Sequence, residues 1–355
     1  MNIADAPIPR QQFAGTRISA CSLELNTSEG DMHRAAITET RLVNWLKDGR
    51  GQGIGKNYRS WIQVTKQDYS SHGQSHILFD PFINRQHHLV SNLERAHCVP
   101  NMAQPCITDI RENYPLWTAT HPHPMLEILD SKTAASHDLW LDSPGTVAIA
   151  QELKFRHAKY VGLKVPFIYS TDQVLTVELP RKAPFLVAVS IKYWKDMRGD
   201  PNREPSKEKR VRRRKKIFRI LRLERAYWTS LGIPWLLATD RMVNQQVYLN
   251  LEWALSGAIQ RFSERDVELL NKFLSAWKAA PWRGRCIEQV EMVSHAMEID
   301  FHTAVRLLKF GIMRGLIPVD LTRPVHLQLP FPHGETRSPM SIPSWSILNK
   351  LRRLP

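Results

Sequence analysis

Residues 184–194 read PFLVAVSIKYW. Successive side chains of a strand point to opposite faces. Leu186, Ala188, Ser190 and Lys192 therefore share one face, and Phe185, Val187, Val189 and Ile191 share the other. Both faces are largely apolar, so the lysine does not read as an ordinary edge-strand guard against aggregation. Alternation predicts further strands at 61–65, 76–79, 107–110, 172–177 and 235–238. Residues 87–97 read as a helix with Leu89, Leu93 and Ala96 on one face. A long helix is expected over 206–231, where Ile217, Ile220, Leu221, Tyr227 and Trp228 are compatible with one buried stripe. Together these make residues 60–240 an α/β unit.

Beyond residue 240 the pattern changes. Ser263 and Asp266 frame a capped helix start. Helical spacing then runs through 267–277, 287–297 and 303–312, followed by extended runs at 317–321 and 325–329 around a turn at 322–324. Three helices and a hairpin predict a winged-helix domain. The expected division is an N-terminal extension over 1–45, a catalytic domain over 46–240, the winged helix over 241–330, and a tail over 331–355. In the tail, Trp345, Leu348 and Leu351 are spaced three apart, as in a short helix that docks on a partner or packs on its own domain.

Charge narrows the function. The 355 residues carry a formal net charge of +15, and the 43% hydrophobic fraction is ordinary for a globular chain. A surplus of this size attracts polyanions, nucleic acid first among them. No run is long and apolar enough to span a bilayer, and the N-terminus has no signal-peptide pattern, so a cytoplasmic, nucleoid-associated protein is expected. Cys21, Cys98, Cys106 and Cys286 are scattered, and the histidine pairs lack the spacing of a structural zinc site. The long helix carries a dense run including Arg210, Arg212, Arg213, Arg214, Lys215 and Lys216, opposed only by Glu208 and Glu224. An adjacent polyanion would relieve that self-repulsion. Arg50, Lys56 and Arg59 flank a glycine-rich turn at 49–55 and suit the same DNA backbone.

The candidate chemistry lies where strands converge. Asp172 on one strand and Lys192 on another can meet at one point of a sheet, and a carboxylate from a preceding helix completes a site that holds Mg²⁺ and attacks a phosphodiester. Glu94 is the candidate, but local sequence favours another role for it: residues 91–94 match a capping box. Asp109, Glu112 and Glu178 remain competing carboxylates.

The runs 49–61 (GRGQGIGKNYRSW), 87–94 (HHLVSNLE), 109–116 (DIRENYPL), 170–172 (STD), 189–192 (VSIK), 223–228 (LERAYW) and 232–235 (GIPW) resemble, in the same order, the TnsA family of endonuclease subunits of heteromeric transposases. The resemblance covers roughly residues 45–240. It implies a restriction-endonuclease-like α/β fold of the PD-(D/E)xK type and a catalytic set of Glu94, Asp172 and Lys192. It also implies an enzyme that cuts the 5′ ends of a transposon while a TnsB-like recombinase cuts and joins the 3′ ends, with a TnsC-like AAA+ ATPase as regulator. Two Mg²⁺ ions are expected, with Mn²⁺ as substitute, held by Glu94, Asp172 and the carbonyl of Ile191. The family commonly has glutamine two residues before the lysine; Ser190 stands there, with a shorter reach to a metal-bound water. Two other classes fit the same residues: a DNA-binding regulator without catalysis, and a free-standing restriction-type nuclease.

Overall fold

The computed structural model describes residues 37–65, 74–136, 139, 142–199, 201–202, 206–258, 264–281, 284–335 and 343–353. Most of the N-terminal extension, and Ser263, lie outside these.

The first helix, α1 (Glu39–Lys47), is capped by Thr38, whose hydroxyl accepts from the Arg41 amide. Leu42 and Trp45, three apart, bury its inner face with Trp61, Tyr160 and Ile168. Two short strands follow, β1 (His76–Asp80) and β2 (Arg85–Leu89), paired antiparallel from His76↔Leu89 to Asp80↔Arg85. Asn84, in the left-handed region, turns the hairpin, and the Asp80 carboxylate accepts from the Phe82 amide. Helix α2 (Asn92–Met102) starts at the Ser91 cap. The helix expected over 87–97 thus begins at residue 92, and His87–Leu89 belong to a strand.

The main sheet is mixed and has the order β3 (Ile107–Leu116), β4 (Tyr169–Val177), β5 (Phe185–Ile191), β6 (Trp235–Ala238). Its first three strands are antiparallel, and β5 and β6 are parallel. Between β3 and β4 lie the short helices α3 (Ser131–Ser136) and α4 (Thr146–Glu152). The short α5 (Trp194–Arg198) and the long α6 (Lys207–Ser230) connect β5 to β6. The run 61–65 expected as a strand is irregular.

The alternation in β5 is realised. Val187, Val189 and Ile191 pack in a cluster with Leu93, Cys98, Val99 and Met102 of α2. Leu186 and Ala188 pack in another, with Leu223, Tyr227 and Trp228 of α6 and Ile149 and Ala150 of α4. The sheet is therefore covered on both faces, as a strand apolar on both sides requires.

The C-terminal helices are α7 (Gln245–Ala258), α8 (Glu264–Ala279), α9 (Cys286–Ala296) and α10 (Phe301–Met313). Their core side chains join the α2-side cluster without a break. Gly257 lets α7 and α10 touch: a Cβ there would lie 2.4 Å from the Lys309 Cβ. The hairpin expected after Gly315 carries no strand. Its apolar residues Ile317, Val319, Leu321 and Val325 are buried, but its backbone bonds go elsewhere. The Asn250 side chain holds the Leu321 and Arg323 carbonyls and the Val325 amide. The carbonyls of Leu327 and Leu329 accept from Ile287 and Cys286 at the start of α9. Once committed in this way, the two runs do not pair with each other. No helix among the described residues is long and apolar enough to cross a membrane.

Candidate active site at the end of the sheet

The β4–β5 pairing runs from Val177↔Phe185 to Gln173↔Val189. Past that end a carboxylate replaces the neighbouring strand: Asp172 Oδ2 accepts the Ile191 amide at 2.5 Å and the Lys192 ammonium at 2.6 Å. The ammonium and the carboxylate stay in reach of solvent, with the Lys192 side chain 30% exposed and Asp172 14%. Burial would lower the Lys192 pKa, but Asp172, Glu224 and Glu94 outweigh it and hold the lysine well above its ordinary value.

Glu94 stands in the first turn of α2 and is buried. Both capping and site geometry are realised. Ser91 Oγ accepts from the Glu94 amide at 3.2 Å and donates to Glu94 Oε1 at 2.8 Å, and the Val90 amide donates to Oε2 at 2.9 Å. These bonds aim the carboxyl rather than neutralise it. Burial and then the charge of Asp172 push its pKa up to about 8, against the pull of those donors and of Lys192. The capping residues thus fix a carboxylate close enough to Asp172 to feel its charge.

A third acid, Glu224 of α6, was not among the sequence candidates. It is fully buried and acts on Lys192 electrostatically. Burial pushes its pKa up to about 7, Lys192 opposes this and Asp172 adds to it. The sequence held a signal. Glu224 lies on the buried stripe of α6, three residues past Leu221 and three and four before Tyr227 and Trp228, where an unpaired acid is costly. Ser190, wholly buried, hydrogen-bonds the Glu224 carboxylate and accepts from Trp235 Nε1 at 2.8 Å. Its hydroxyl is committed inside the protein, so the expected bond to a metal-bound water has no free donor there.

The competing carboxylates lie elsewhere. Glu112 and Asp109 belong to a closed cluster under the β1–β2 hairpin. His87, wholly buried, has Nδ1 at 2.8 Å from Glu112 and Nε2 at 3.3 Å from Asp80, and Arg85 sits 3.4 Å from Asp109 and 3.3 Å from Glu112. Asp109 also accepts from the Gly55 amide at 2.8 Å and so anchors the glycine-rich turn. Glu178 is exposed and accepts from the Thr108 hydroxyl.

Of the expected DNA contacts, Lys56, Arg59, Arg212, Arg214, Lys215 and Lys216 are exposed, while Arg210 and Arg213 are half-buried. Arg213 lies 3.6 Å from Asp196 of α5. Arg50 is turned inward: its guanidinium stacks on Trp45, 4.4 Å from the ring centre, and Nη1 donates to the Trp61 carbonyl. In the tail, Leu348 is fully buried in the chain's own core beside Ile347, with Trp345 and Leu351 packed against it. Intramolecular packing therefore occupies the side chains expected to dock on a partner.

Among the described residues, no group of three or more His, Cys, Asp or Glu is arranged to hold a metal. The pair Glu94 and Asp172 suits one kind of ion. Two mutually repelling carboxylates gain from a divalent cation, and Mg²⁺ is usually held by one or two carboxylates while keeping several waters. Zinc would ask for a fuller set of side-chain ligands.

A lysine bonded to an aspartate at the end of a mixed α/β sheet, with a buried helix glutamate beside it, defines a carboxylate–lysine centre suited to phosphoryl chemistry. No family model matches the chain. A search of characterised proteins finds the Escherichia coli transposon Tn7 transposition protein TnsA, 29% identical over 226 residues. The alignment covers 62% of this chain and 64% of that protein, so the chain spans a little under two thirds of its relative's length. The relative carries the name of the family that the sequence motifs resemble.

Proposed function

We propose that this chain is the DNA endonuclease subunit of a transposase, cutting 5′ transposon ends through a Mg²⁺-dependent restriction-endonuclease-like centre. The observation that carries the reading is the meeting of Asp172, Lys192 and the Ile191 amide at the end of β4 and β5, with Glu94 acting on the same aspartate. The name of the relative as a transposition protein supports the biological setting.

Asp172 and Glu94, with the Ile191 carbonyl, would hold Mg²⁺, and Mn²⁺ in its place. The ion would supply Lewis-acid charge at the phosphate and lower the pKa of water. Lys192, kept protonated by its three acids, orients toward the scissile phosphate and offsets charge as it builds in the transition state. Glu224 restrains the lysine from the α6 side, itself held by Ser190.

Helix α6 links this centre to the basic surface. From Glu224 back to Lys216 is eight residues, about 12 Å at 1.5 Å per residue, and the exposed cations continue from there to Lys207. A DNA strand entering the site would track that arm, with Lys56 and Arg59 as further backbone contacts. The three helices α8–α10 are the remainder of the proposed winged-helix module. A TnsB-like recombinase and a TnsC-like ATPase are the partners that this reading requires.

The test is cleavage of strand-labelled transposon-end DNA in Mg²⁺, with and without the neighbouring recombinase, by wild type and Asp172→Ala. A 5′-strand cut that needs the recombinase, and that falls by at least about 10³-fold in the variant, is expected, since loss of a single transition-state donor alone costs 10²–10³. Cutting without the recombinase would make the chain a free-standing nuclease. DNA binding without a 5′ cut in any mixture would make it a regulator.

A further inference from the structure

The residue that follows Asp172 is polar too and, unlike it, wholly buried. Gln173 faces Val189 across the β4–β5 pair, next to a cluster that contains Leu175, Val189, Leu93 and Val99. A buried amide on such a face costs free energy unless each end is bonded. Both ends are. Gln173 Nε2 donates to the backbone carbonyl of Glu94 at 3.2 Å, and Gln173 Oε1 accepts from Asn101 Nδ2 at 2.9 Å. Asn101 lies on the same helix as Glu94, two turns on, and is itself buried.

The two bonds are directional. Asn101 can offer only a donor through its Nδ2, so it requires the oxygen of Gln173 and turns the nitrogen of Gln173 toward the Glu94 carbonyl. Reversing the amide would set oxygen against the Glu94 carbonyl and donor against donor at Asn101. A leucine or methionine would fill the same volume without this demand, so space filling alone does not account for the glutamine.

We infer that Gln173 is a positioning residue that sets the spacing between the carboxylates of Glu94 and Asp172, and thereby the affinity of the site for a divalent ion. The dipeptide 172–173 contributes one carboxylate from its first residue and clamps the backbone of the other carboxylate with its second. Asn101 fixes the direction of the clamp. The inference rests on the proposed reading of Glu94 and Asp172 as metal ligands.

The experiment is Mn²⁺ binding to the full chain, by calorimetry and by the electron-spin signal of free Mn²⁺, with urea unfolding run in parallel. Wild type is expected to bind, and Asp172→Ala to lose binding. Gln173→Met is expected to weaken Mn²⁺ by about 10–100-fold, the usual loss when a residue supporting a metal ligand is removed. Asn101→Leu, which leaves the glutamine in place but frees its direction, is expected to weaken it in the same sense and by less. Val189→Ala, which deletes two methyl groups directly across the pair from Gln173, lowers stability and is expected to leave affinity within about twofold, since it removes apolar volume but no hydrogen bond to the Glu94 backbone. Should Gln173→Met not fold, Asn101→Leu decides alone. Wild-type Mn²⁺ affinity in the glutamine and asparagine variants, or an equal loss in Val189→Ala, would overturn the positioning role while leaving the metal site standing. Wild type without Mn²⁺ binding that Asp172→Ala removes would overturn the metal site and the inference together.

Discussion

The chain gathers acids and bases in two places, and the contrast between them separates a structural cluster from a reactive one. Under the β1–β2 hairpin, Asp80, Asp109 and Glu112 are met by Arg85 and by His87. The charges nearly cancel, and Glu112 is held below its usual carboxylate range: burial would raise it, but His87 and Arg85 outweigh that. At the end of the main sheet, Glu94, Asp172 and Glu224 share a single lysine, and the two buried glutamates are pushed up to about 8 and about 7. One cluster satisfies itself with the protein's own cations. The other holds more acid than its single lysine can pair, near solvent, where an added cation would favour the ionised carboxylates. Perturbed acids in that second condition mark functional sites more often than structural ones.

The contrast breaks first at Arg85. Removing one partner of a buried ion pair leaves the other charges uncompensated and costs about 3–5 kcal/mol. Arg85→Met should therefore lower stability to urea by that order, while Lys192→Met, at a half-open site with surplus acid, should lower it by much less. Equal losses in the two variants would mean that both clusters serve the fold. Arg85 also stacks over Tyr58, 4.8 Å from the ring centre, so the variant should loosen the glycine-rich turn, and hydrogen exchange at residues 49–58 should rise.

The closed cluster also carries a pH signature. Burial would lower the His87 pKa, but Glu112 and Asp80 outweigh it and push it up to about 9, above the 6.5 of an unperturbed histidine. A group whose pKa is raised on folding contributes stability that is complete below the unfolded value and is lost as pH rises through the folded one. The contribution of His87 is therefore whole below pH 6.5 and declines between 6.5 and about 9. At 1.36 kcal/mol per unit this is roughly 3 kcal/mol. Unfolding free energies from pH 6 to 9.5 should fall in wild type and stay flatter in His87→Asn; parallel curves would show that His87 is neutral in the folded chain.

How far this contrast could be read beforehand depended on what each residue's burial rests on. Where apolar packing decides, the pattern was legible. The alternation of β5, the four residues of β6, the long helix α6 and the helical spacing of α8–α10 all follow from side-chain volume and period. Where electrostatics decide, it was not. The sequence of β2, RQHHL, has no apolar alternation, because His87 and Arg85 are drawn inward by acids that lie mostly on another strand, β3. Arg50 read as a surface cation because nothing in its spacing shows that Trp45 would take its guanidinium. Lys192 stood out because its neighbours in sequence are apolar, and Glu224 was passed over because arginines flank it in sequence, Arg222 and Arg225, although it faces the buried side of α6. The missing strands have a third cause: the Asn250 side chain and the first amides of α9 take up the backbone groups that the hairpin needed.

The smallest effect sharpens the contrast from the other side. A ion that binds the folded chain stabilises it by RT ln(1 + [L]/Kd), about 2.7 kcal/mol at a hundredfold excess over Kd. The surplus of acid at Glu94 and Asp172 predicts that Mg²⁺ raises the unfolding midpoint of wild type. The closed cluster, with its acids already met by Arg85 and His87, predicts no share in that rise. Thermal unfolding with increasing Mg²⁺ should therefore show the shift in wild type and in His87→Asn, and lose it in Asp172→Ala. Ionic strength is held constant with KCl, since a chain of net charge +15 responds to salt as such. A shift that survives in Asp172→Ala would place the bound ion elsewhere in the chain and leave the sheet-end acids with no role in holding it. A shift that disappears in His87→Asn as well would join the two clusters into one thermodynamic unit, with the hairpin network supporting the site across β3.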